Sequence, residues 1–168
     1  REAQSASERA RAEEGVRRRL AGEARSLEEG YARVVRRITE AVSAGLLTIT
    51  LGDSASDVTL FTLLRRESDE GSRREGCGDA CLEIFEEPDS RDALLTLRLA
   101  ADTANATVDE GNFRIDVEGT VGAGSIATTA RLHCDCHEEV CKWALGFHLL
   151  GLLQDLPLLN YRLPAVSK

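Results

Sequence analysis

The chain has 168 residues, enough for one domain with a core of its own and too few for two comfortable ones. Its 42% hydrophobic and 30% charged residues are those of a globular chain, and no apolar run reaches the ~20 residues that span a bilayer, so no membrane insertion is expected. A formal net charge of -8 argues against a general nucleic-acid binder, since a phosphate backbone rewards clustered lysine and arginine; basic proteins are the more natural partners.

The sequence opens on Arg1, which fits a processed form, and from Ser5 to about Ala44 it is rich in Ala, Arg and Glu with no proline. Val16, Leu20, Ala24, Leu27, Tyr31, Val34, Val35, Ile38 and Val42 recur near a helical period, so a helix is predicted over 13–44, with residues 1–12 solvated or frayed. Gly30 and Gly45 are its expected breaks, the second ending it. The period then changes to two: LLTITLGDSASDVTLFTLL, Leu46 to Leu64, predicts a hairpin around GDSASD. Glu67 to Ala80 reads as a polar loop, and CLEIFEE, ALLTLRLA, NFRIDVEGTV and SIATTARLH each give one strand. The links between them are too short for parallel crossovers, so a meander of six or so antiparallel strands is expected over 46–133. A second helix follows over 135–156, stopped near Pro157. The fold class is thus α+β, a single domain over 1–168 with a sheet flanked by terminal helices.

Within the last helix, VCKWALGFHLLGLL (140–153) is apolar nearly all round, interrupted only by Lys142 and His148. Such a helix must be buried on more than one side, against its own sheet and against a second chain. Trp143, Phe147, His148 and Leu150 are therefore expected at a subunit interface.

Residues able to carry chemistry are few. Cys77, Cys81, Cys134, Cys136, His137 and Cys141, with His133 beside them, could supply thiolates and imidazoles to zinc, although the spacing departs from the paired CxxC of a zinc ribbon. A disulfide within or between the two groups is the alternative, and buried, inert thiols are the default. His148 has no Ser, Cys or acid at a telling spacing, GTVGAG (119–124) lacks the lysine of a phosphate loop and reads as a turn, and the acids from Asp109 to Glu118 lack calcium-loop spacing. The Asn105-Ala106-Thr107 sequon matters only in a secreted chain. No catalytic residue, cofactor site or firm metal site is expected.

Trp143-Ala144-Leu145-x-x-His148-Leu149-x-x-x-Leu153 resembles the WALxxHLxxxL helix of the mitochondrial acidic matrix protein family, which includes the complement globular-head-binding protein. CLEIFEEPDSRDALLTLRLA (81–100), NFRIDVEGTV (112–121) and GLLTITLGDSASDVTL (45–60) are similar to strands of that family, and Leu20-x-x-Glu23-x-x-x-Leu27-Glu28-Glu29 to its N-terminal helix. The resemblance covers most of residues 20–155. The chain departs from the family in its shorter acidic loops, its extra cysteines and the lack of a counterpart, before YRLPAVSK, for the family's second C-terminal helix, which is absent or lies outside this sequence.

The resemblance implies a highly twisted seven-stranded antiparallel sheet, a ring-shaped homotrimer and a mitochondrial matrix location. It also implies a non-enzymatic adaptor or chaperone-like role in oxidative phosphorylation, mitochondrial translation or RNA processing. The arginine- and alanine-rich composition suits a GC-rich genome such as that of a kinetoplastid, where the related protein is tied to RNA editing; RNA would then be reached indirectly, through protein partners. Glu83, Glu86, Glu87 and Asp89 are the acids expected to attract basic mitochondrial proteins, by a long-range force that salt weakens. Two other classes stand beside this reading: a zinc- or redox-dependent regulatory domain built on the cysteine cluster, and a small-ligand carrier, since a helix on a curved sheet also makes a groove.

Overall fold

A computed structural model describes residues 2–53, 57–67, 80–100 and 105–153. The first element, α1 (Glu2–Glu40), is a helix of 39 residues, roughly 58 Å long at 1.5 Å per residue. It starts earlier than its apolar row because nothing in residues 2–14 opposes a helix: Ala, Glu and Arg dominate, and Glu14–Arg18 and Arg19–Glu23 pair one turn apart farther on. Residues 2–12 are thus solvated but helical. The end also differs from expectation. Gly30 lies inside the helix, buried against the Asp89 side chain, and Gly45 lies inside the first strand. The chain leaves α1 at Glu40 and enters the sheet almost at once, Val42 N–H donating to the Leu64 carbonyl at 2.7 Å.

Seven strands follow: β1 (Ser43–Leu51), β2 (Val58–Arg66), β3 (Ala80–Phe85), β4 (Leu95–Leu99), β5 (Asn105–Asp109), β6 (Arg114–Val121) and β7 (Ile126–His133). All pairings are antiparallel and the order is β4-β3-β2-β1-β7-β6-β5. The predicted hairpin is present, with Leu47 opposite Leu60 and Ser43 opposite Leu64. β5 falls in a stretch read as a connection, and supplies the seventh strand. The predicted loop at 68–79 lies outside the described residues.

The sheet is not an open layer. β4 also pairs with β6, Arg98 opposite Thr120, immediately beyond the point where β5 pairs with it at Asn105 and Glu118. β4 and β5 therefore run one after the other along the same edge of β6, and the sheet closes into a barrel. Closure depends on Gly119, which lies in β6 within the predicted strand NFRIDVEGTV: a Cβ there would sit 2.6 Å from the Arg98 carbonyl oxygen.

Register sorts the side chains. Leu47 and Ile49, Leu64, Leu82 and Ile84, Leu97 and Leu99, Ile115 and Val117, and Ala130 and Leu132 all share the inner face and are buried there. The second helix, α2 (His137–Leu149), joins this core through Val140, Trp143, Ala144 and Phe147. It ends before Pro157 because Gly151 adopts a left-handed φ of 74°. Leu152 N–H reaches back to the Phe147 carbonyl and Gly151 N–H to that of His148, a glycine-terminated cap that satisfies the last turn. A second, smaller cluster of Phe61, Leu63 and Phe85 lies on the outer face, where Ala41, Ala44 and Ala93 cover it.

Candidate functional site

Two features of the outer surface stand apart from the packed core. The first is the apolar row of α1. Leu20, Ala24, Leu27, Tyr31, Val34 and Ile38 follow one another at alternating steps of four and three, the spacing of a helix that packs along another helix. Leu27 and Tyr31 are each 74% exposed, and Val16, Leu20, Val35 and Ile38 are exposed with them. A long helix draws most of its stability from a packed apolar face, and among the described residues this face is unpartnered along most of its length.

The second feature is where α1 meets the barrel. Arg37 stacks over the Phe85 ring with its guanidinium 3.9 Å from the centroid, and donates to the Pro88 carbonyl at 2.8 Å and the Arg91 carbonyl at 3.1 Å. Arg33 donates to the Asp89 carbonyl. These contacts fasten the last turns of α1 to the β3–β4 connection. Beside them lies a cleft of about 710 Å³, bounded by Arg36, Arg37 and Glu40 of α1, by Leu63, Arg65, Glu83, Phe85 and Thr96 of the sheet, and by Arg91, Asp92 and Ala93 of the connection. Burial and the neighbouring charge of Arg33 together lower the Arg37 pKa.

The acids expected to face partners divide. Glu86, Glu87 and Asp89 are exposed. Glu83 is not part of that surface: it is half-buried and paired with Arg65, whose pKa burial lowers but the Glu83 hydrogen bond, with nearby acids, raises on balance. Alternation explains the split, because Glu83 lies within β3 while the others follow its end.

The expected interface on α2 requires correction. Trp143 and Phe147 are each 0% exposed and Leu150 is buried, all within the protomer's own core, so they have no surface left for a neighbour. Barrel closure accounts for this: it gives α2 a concave inner face instead of one side of a flat sheet. His148 is half-buried and its Nδ1 lies 2.8 Å from the Leu153 carbonyl, fixing the chain after the helix cap. What α2 does expose is Leu145 and Leu149.

Among the described residues the cysteines and histidines do not converge on one site. Among the described residues no three His, Cys, Asp or Glu side chains are grouped so as to hold a metal ion; Cys77 lies outside those residues. Cys81 sits in β3 and Cys134 just after β7, both buried, while Cys136 caps α2 in the open and Cys141 is partly covered. Burial pushes the Cys81 thiol to about 11 and the Cys134 thiol to about 12, against an ordinary value near 9. A thiol whose pKa is raised on folding contributes stability that is intact below its unfolded value and is lost as the pH climbs through the folded one. Stability is therefore expected to fall between about pH 9 and 12. Replacing both buried cysteines with alanine should flatten that decline in urea titrations repeated across the range. Iodoacetamide at neutral pH should modify Cys136 before either of them.

One polar chain had no signal in the sequence. Thr50 donates to Asp57 and lies 2.9 Å from His133 Nε2, linking the β1–β2 hairpin to the β1–β7 pairing on the outer face. Its members are far apart in sequence, and only strand register brings them together.

Comparison with known protein families, with curated proteins and with solved structures finds no match for this chain.

Proposed function

We propose that the chain is a non-enzymatic adaptor of the mitochondrial acidic matrix protein type, acting as a homotrimer that gathers basic partner proteins in the matrix. In that role it supports oxidative phosphorylation, translation or RNA processing and editing, and meets RNA through its partners. The observation that carries the reading is the uncovered α1 row, with Leu27 and Tyr31 exposed at its centre. An apolar surface of this extent on a helix rich in charge is the usual mark of a protein–protein contact. The arrangement of an antiparallel sheet between terminal helices, with the Trp143-Ala144-Leu145 motif on the second, supports it further.

Assembly in this reading runs through α1, with Leu145 and Leu149 as a secondary surface, and not through Trp143. The exposed acids Glu86, Glu87 and Asp89 supply the attraction for basic partners.

Sedimentation of the whole chain should give three subunits per particle, holding as salt is raised, and Leu27→Glu with Tyr31→Glu should disperse it to monomers that keep the native circular dichroism. A monomeric wild-type chain would remove the reading. Neutralising Glu86, Glu87 and Asp89 together should cut capture of a basic test protein severalfold at low salt; unchanged capture moves the contact elsewhere.

A further inference from the structure

We draw no further inference here: the strongest candidate, the exposed apolar row along α1 from Val16 to Ile38, belongs to the surface already described, and nothing in the structure shows what covers it.

Discussion

Trp143→Ala is expected to abolish cooperative unfolding or to move its urea midpoint far down, a loss of about 3–5 kcal/mol. The side chain is fully buried, among the largest in the core, and packs in the same cluster as residues from the inner faces of β1, β3, β4, β6 and β7. The cost of such a cavity depends on how far its walls can relax, and here the walls include paired strands of a closed barrel. A domain of this size has about 5–15 kcal/mol in all, so one such loss consumes a large part of it. Leu145→Ala, one residue pair farther round the same helix and 49% exposed, should change stability by no more than about 0.5 kcal/mol. Similar costs for the two would mean that α2 docks through a different face, and would reopen Trp143 as a contact for another chain.

The contrast between those two positions marks what the sequence made legible. The apolar ring of 140–153 announced a helix buried on several sides, and the alternation from Leu46 onward announced a sheet, because both signals are local and periodic. What encloses the helix was not local. Closure rests on β4 meeting β6, more than twenty residues apart, and on one glycine whose meaning lies in a neighbour's carbonyl. β5 was missed for a related reason. NATVD carries only Ala106 and Val108 as inward apolar residues, too weak a pattern to separate from a polar connection until β6 pairs with it.

The surface followed the same rule. Charge spacing placed Glu83 with Glu86, Glu87 and Asp89, yet a strand and the connection after it offer different neighbours: Arg65 lies on the adjacent strand within reach of Glu83 only. The cleft drew on α1, three strands and a connection at once, so no window of sequence contained it. The cysteines show the converse. Their closeness in sequence suggested a common site, but the β7–α2 junction sends Cys134 inward and leaves Cys136 outside.

Two glycines make a final comparison that distinguishes backbone from side-chain constraints. Gly119→Ala places a methyl group 2.6 Å from the Arg98 carbonyl oxygen and 2.7 Å and 2.9 Å from the Leu97 and Leu99 side chains. The nearest atom is backbone in a paired strand, so the methyl group fits only if β4 moves off β6; a cost of about 3 kcal/mol or more is expected. Gly146→Ala also meets an obstacle, the Ser43 hydroxyl at 2.3 Å, but that atom belongs to a side chain. Removing it by Ser43→Ala leaves the Ser43 Cβ at 3.3 Å and Leu64 at 3.4 Å, separations that a shift of a few tenths of an ångström accommodates. Gly146→Ala should therefore cost about 2 kcal/mol alone and markedly less beside Ser43→Ala, a coupling of at least ~1 kcal/mol in urea unfolding of the four variants. No side-chain truncation should rescue Gly119→Ala in the same way, since Leu97→Ala or Leu99→Ala leaves the carbonyl in place and opens a cavity. If Gly119→Ala unfolds with the wild-type protein, the β4–β6 pairing contributes little, and the barrel is held shut by α2 alone.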